Sequence, residues 1–193
     1  MMRRFLTVVA VGLCLAAQPV LAATPAPSPA PVSAAVPLLP NAPPPTLEYA
    51  FSVQATLAPP VEAGNLDGGR RRFIQVTGGA AYGPMLSGTV LGGGGDWQTI
   101  RPGGLTDVEA HYFIKAADGT VIEVTNVGVR VASAEVTDKI ARGEAVDPSA
   151  YYFRTTTRFG VVDGPLGWMR RAVFVARGIR KPDSVVIDFY VVR

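Results

Sequence analysis

A chain of 193 residues that is 48% hydrophobic and 17% charged is long enough to bury a core and too apolar to be disordered throughout. Its 18 Lys and Arg against 15 Asp and Glu give a formal charge of +3, but Arg3 and Arg4 lie at the extreme N-terminus, and without them the balance is 16 against 15. That near-neutral remainder gives no electrostatic support for nucleic-acid binding. The single cysteine, Cys14, rules out an internal disulfide framework or a thiolate metal centre.

The N-terminus reads as a secretory signal over residues 1–22. Met1-Met2-Arg3-Arg4 is a basic start, Phe5 to Ala17 is almost uninterrupted apolar, and small residues at Ala22-Ala23 offer a cleavage site. Roughly a dozen apolar residues fall short of the ~20 that span a bilayer. The segment therefore predicts export, to the periplasm or outside the cell, without stable membrane insertion after cleavage. Cys14 would leave with it. Residues 23–45 form a Pro/Ala-rich spacer: nine of the 22 residues from Thr24 to Pro45 are proline and none is charged, a composition that predicts a semi-rigid, disordered segment. Residues 46–193 remain as one domain.

Along that domain, short apolar runs recur between Gly, Pro, Asp and Asn. They predict strands at Leu47–Leu57, Arg72–Ala80, Gly88–Leu91, Val108–Ala116, Val121–Val131, Tyr151–Phe159, Trp168–Gly178 and Ser184–Val192. Asp118-Gly119 predicts a tight hairpin turn. Between Gly78 and Gly104 glycine is too dense for a helix, since each interior Gly costs about 1 kcal/mol relative to Ala. This block predicts tightly turned β structure that presents Asp96 and Trp97. One helix is expected at Ser133–Gly143, with Ser133 as cap, Val136 and Ile140 on one face, and Gly143 at its end. One short helix among about eight to ten strands predicts an all-β, single antiparallel barrel, because closure removes exposed strand edges. Strand parity puts Val108, Ala110, Tyr112 and Ile114 on one face and Glu109, His111, Phe113 and Lys115 on the other. Tyr152, Arg154, Thr156 and Arg158 share a face, turned either to solvent or into a polar lumen.

The ordered set Gly78-Gly79, Gly83-Pro84, Gly88, Gly93-Gly94-Gly95-Asp96-Trp97-Gln98, Arg101, Gly104, Glu109-Ala110, Tyr112, Asp118-Gly119, Ile122, Asn126, Gly128, Tyr152-Phe153-Arg154, Phe159, Trp168, Arg171, Phe174 and Gly178 resembles domain-of-unknown-function family 3237, also called uncharacterised protein family 0311. The resemblance implies a compact β-barrel in a homo-oligomer and no settled activity. Departures stand at His111, where the family pattern has Arg, at Gly160, where Glu is common, and at Met169-Arg170, where Leu-Asn is usual.

Asp96 and Trp97 are the leading site candidates: a carboxylate beside an indole could bind a polar group while the ring stacks. Each also has a purely structural role available, in a turn and in the barrel end. His111, the only histidine, could act as a general base oriented by Asp96, Asp107 or Glu109, or simply be a surface residue. Arg154 with Tyr152, and Arg158 beyond them, could clamp a carboxylate or lie on an exposed strand face. Trp168 is a further ligand-binding candidate, although it and Tyr112 read more readily as core. No metal or cofactor is expected: there is one histidine, no calcium-loop spacing, no Gly-x-Ser-x-Gly elbow, and no Lys-Ser/Thr after the glycine run. The ranked expectations are a barrel binding a small organic ligand, then a cofactor-independent isomerase, cyclase or dehydratase using Asp96 and His111, then a structural module.

Overall fold

The computed structural model describes residues 43–193; the predicted signal and nearly all of the predicted spacer lie outside the described residues. Strand β1 (Leu47–Leu57) pairs with the C-terminal strand β9 (Ser184–Val192) on one side and with β3 (Gly69–Tyr82) on the other. Between them run β4 (Gly88–Ile100), β5 (Leu105–Ala116), β6 (Val121–Val131), β7 (Tyr152–Val161) and β8 (Phe174–Arg180), each antiparallel to the next. The result is a closed antiparallel barrel of eight strands. A further strand, β2 (Val61–Leu66), takes over from β1 along the first half of β3. Pro59-Pro60 separates β1 from β2, since neither proline can donate to the ladder.

Sequence periodicity did not reveal β2, which is exposed throughout and therefore carries no alternation. Its turn has a readable signature: Asp67 (φ 51°) and Gly68 (φ 76°) are both left-handed, as a type I′ hairpin requires. The block from Gly78 to Gly104 does hold the reversal from β3 to β4, at residues 83–87, but its four-glycine run is not a turn: strand β4 runs through residues 92–95, with a bulge between Leu91 and Gly95. Glycine is needed there for close approach: a Cβ on Gly95 would fall 2.0 Å from the Phe73 ring, and one on Gly94 would fall 2.3 Å from the His111 carbonyl oxygen. Trp168 lies in a 3-10 helix, Gly167–Arg171, and not in a strand, so β8 begins later than expected. The single α-helix α1 (Ala134–Ala141) forms where predicted, capped by the Ser133 hydroxyl accepting the Val136 N–H at 3.2 Å.

The lumen is divided. At one end Phe51 stacks on Phe189 (4.9 Å) and Phe159 meets Phe174 edge-on (4.9 Å), with Ile114, Ile122 and Val124 fully buried around them. This end is filled, and Met169 and Trp168 of the 3-10 helix close it. At the other end the inward positions are polar: Arg72 on β3, Asp96 and Gln98 on β4, Asn126 and Arg130 on β6, and Arg180 on β8. Helix α1 follows β6 and sits at this same end, near the Ala58–Pro60 link and Pro182-Asp183 of the β8–β9 turn.

Candidate functional site

Alternation along β4 decides the geometry. Asp96 turns inward and Trp97 outward, so these neighbours do not share a site. Asp96 lies on the wall of a small chamber with about 40 Å³ of free space, enough for a few waters. Gln98, two residues on, donates from its amide nitrogen to Asp96 Oδ2, and the backbone N–H of Glu109 donates to Oδ1 at 3.2 Å. Arg72 Nε donates to Gln98 Oε1 at 2.8 Å, which fixes the orientation of that amide. Across the chamber the Thr157 hydroxyl donates to Asn126 Oδ1 at 2.6 Å, leaving the Asn126 NH₂ as a donor.

The charges here are unbalanced. Arg72, Arg130 and Arg180 bring three guanidiniums to this end of the barrel, where Asp96 is the one carboxylate lining the chamber, with Asp183 lining the outer cavity and Glu62 near Arg72. Among the described residues no carboxylate oxygen lies within 4 Å of any of the three. Arg130 is only 1% exposed, and its one side-chain hydrogen bond is a long one to Thr106 Oγ1, 3.5 Å. Burial, with repulsion from Arg72, pulls its pKa down to about 10. Burial also lowers the pKa values of Arg72 and Arg180. Asp96 is only half-buried by area, but its accessible part faces the chamber, so desolvation still dominates. Desolvation raises its pKa, against the Gln98 hydrogen bond, the Arg130 charge, the Glu109 N–H and the Arg72 charge, which lower it. The Tyr112 hydroxyl and the Nε atoms of Arg130 and Arg180 have no hydrogen-bond partner within the chain, although all three are buried. Buried polar atoms are nearly always partnered, so these three call for water or a ligand in the chamber; Arg71 Nε, Thr137 Oγ1 and Thr155 Oγ1 are unpartnered too, but do not line it.

The other residues singled out from the sequence are elsewhere. Trp97, Tyr152 and Arg154 line one open groove of about 970 Å³ on the outer wall. The Arg154 guanidinium lies 5.1 Å from the Tyr152 ring centre. His111 is on the same outer face, with its Nε2 3.0 Å from Glu109 Oε1 and its ring 5.9 Å from Trp97. Asp96 and His111 therefore stand on opposite faces of the wall, as do Asp96 and Arg154. Arg158 is also outside, opposite Thr125 of β6. Trp168 packs against Phe174 at the filled end. Arg72, although it follows the part-exposed Arg70 and Arg71, is buried and turned inward. Among the described residues no three His, Cys, Asp or Glu side chains gather as a metal site.

Strand parity could have found the inner cluster. Gln98 shares the phase of Asp96, and Arg130 is a lone charge between Val129 and Val131, both of which turn outward. Arg180 carried no such signal, since it ends its strand beside Lys181.

These features define a class: a small closed barrel, solid at one end and polar, arginine-rich and hollow at the other. Within that class the chain belongs to the family described as "Protein of unknown function (DUF3237)", whose pattern matches residues 45–192. It is 41% identical over 148 residues to the UPF0311 protein RPA1785 of Rhodopseudomonas palustris, covering 76% of this chain and 97% of the relative. The crystal structure of that protein superposes with a TM-score of 0.73, covering 79% of this chain and 99% of the other. A beta-barrel like protein from Acinetobacter baumannii, 34% identical, gives 0.70 over 80% of this chain and 100% of its own. A fungal protein named hydroalkoxylation enzyme phnH, from Penicillium herquei, is 37% identical over 82 residues, 42% of this chain and 54% of the relative.

Proposed function

We propose that the barrel binds a small organic molecule at the polar end of its lumen, reached from the α1 side. The observation that carries this is the set of buried polar atoms without partners, Tyr112 Oη, Arg130 Nε and Arg180 Nε, around the chamber that Asp96 lines. A site built from a largely apolar wall with a few convergent polar groups is the ordinary form of a ligand pocket. Export, as the N-terminal segment predicts, would place this site in the periplasm or outside the cell. The test is a calorimetric screen of the full chain against small organic molecules, repeated on Ala110→Phe, which fills the chamber from its wall. Saturable one-to-one binding that disappears in A110F supports the reading. Binding that survives in A110F, or none across the panel, contradicts it.

A second reading is favoured by Asp96 itself. A carboxyl with a raised pKa, beside a buried guanidinium, is a proton donor next to a stabiliser of developing negative charge. On this reading the chamber runs cofactor-independent acid–base chemistry of the isomerase, cyclase or dehydratase kind. The Penicillium herquei relative, by its name an enzyme of hydroalkoxylation, favours a catalytic reading of the barrel. His111 takes no part, since it is on the outer face. Exchange of solvent deuterium into a bound C–H acid, abolished by Asp96→Asn while binding persists, tests it. Exchange at the wild-type rate in D96N contradicts it.

A further inference from the structure

The charge imbalance identifies the ligand more narrowly, resting on the lumenal site proposed above. Three guanidiniums converge where the inner chamber meets a second cavity of about 250 Å³ outside it. The two spaces share Leu57 and Arg180, and Arg72 lines the outer one while its Nε reaches Gln98 of the inner one, so these residues form the threshold between them. Arg72 is held by Gln98, and Arg180 by its Nη1 donating to the Ser184 carbonyl at 2.7 Å. Each keeps further N–H donors free at the threshold. Arg130 lies behind them, buried and without a carboxylate.

Burying a charge without a partner is costly, and a guanidinium presents two parallel N–H groups that match a carboxylate. The volumes set the orientation. The chamber has room for a head group only, whereas the outer cavity, lined by Pro59, Pro60 and Ile140 as well as by Arg142 and Asp183, has room for a hydrocarbon body. We propose that the site takes a small organic acid, its carboxylate held at the Arg72–Arg180 threshold and against Arg130, its apolar part lying outward under α1. The selected ligand is thus an anion with a hydrophobic tail, and its head carbon comes to rest on the Asp96 side of the chamber.

The test uses matched acid and amide probes, benzoate against benzamide and 3-phenylpropanoate against its amide, titrated by calorimetry into the full chain. The acids bind one-to-one and at least about tenfold, or 1.4 kcal/mol, tighter than the amides. Arg130→Met and Arg180→Met each erase that preference, so that acid and amide then bind alike. Arg130→Lys, which keeps the charge but loses the fork, restores part of it, and a thermal melt establishes that each variant is folded. Ile140→Trp, which crowds the outer cavity, weakens 3-phenylpropanoate more than acetate. Amides binding as well as acids would overturn the anion assignment and leave the lumenal site standing. Acid binding untouched by A110F would overturn the lumenal site itself. No binding of either acid at millimolar concentration would overturn the inference.

Discussion

Replacing Arg130 with Met should stabilise the free protein. Arg130 is 1% exposed, has no carboxylate within ion-pair distance, and leaves Nε without a partner. Burial pulls its folded pKa down to about 10, below the ordinary guanidinium value. At pH 7 the group is charged in both folded and unfolded states, so the folded state bears the full desolvation cost. That cost fades as pH climbs above about 10, because the folded protein gives up the proton first and stability rises with pH. At ~1.4 kcal/mol per pH unit, the gap corresponds to about 3 kcal/mol. Methionine fills similar space without charge, and Asp96, already raised, can take up a proton once its neighbour is gone. Allowing for lost packing and for the Thr106 hydrogen bond, the expected gain is about 1–3 kcal/mol, a rise in Tm of roughly 2–4 °C per kcal/mol for a domain of this size. Urea and thermal denaturation at pH 7, in low salt and without carboxylate or phosphate buffer, measure it. The same variant should no longer be stabilised by added benzoate. An R130M protein that melts lower, together with a wild type that no organic acid stabilises, would refute the reasoning and make Arg130 a structural strut.

Other expectations follow the same logic. Asp96→Asn should raise Tm at pH 8 and have little effect near pH 3: the folded carboxyl titrates above its unfolded value, so ionised Asp96 costs stability that grows as pH rises through the folded pKa. A lower Tm for D96N at pH 8 would mean that its hydrogen bonds outweigh desolvation. Gly178→Ala should cost roughly 1–3 kcal/mol by urea melt, because its Cβ would fall 2.3 Å from the Phe153 ring that roofs the chamber. Trp97→Glu, on an outer position 49% exposed, should leave Tm within about 0.5 kcal/mol-equivalent of wild type, and light scattering on the same variant tests whether that face joins copies of the chain. N-terminal sequencing of protein recovered from the periplasm or medium should begin at or just after Ala23, and recovery of the intact N-terminus would contradict the export reading.

The sequence carried the barrel more clearly than the site. Valine-rich runs with period two, the Asp118-Gly119 turn and the Ser133 cap each have a local cause, and each lies where those causes put it. The glycine block misled because glycine serves two needs that look alike in a sequence. At Gly92, Gly94 and Gly95 the need was room for neighbouring backbone and the Phe73 ring, and at Gly93 (φ 108°) a conformation for the bulge, all inside a continuous strand and not at a chain reversal. That misreading joined Asp96 to Trp97, which the pleat in fact sends to opposite faces. The inner arginines were hidden for a different reason: Arg72, Arg130 and Arg180 come from three strands far apart in the chain, and only closure of β1 onto β3 and β9 gathers them. Arg154 and Tyr152 were correctly placed on one strand face, and that face is the outer one.

A crystal structure of the protein grown with benzoate tests the central claim most directly. The account predicts a carboxylate within hydrogen-bond distance of Arg130 and Arg180, with the ring lying outward under α1 and Asp96 beside the head group. A ligand seated in the Trp97 groove instead, with the three inner arginines undisturbed, would contradict it.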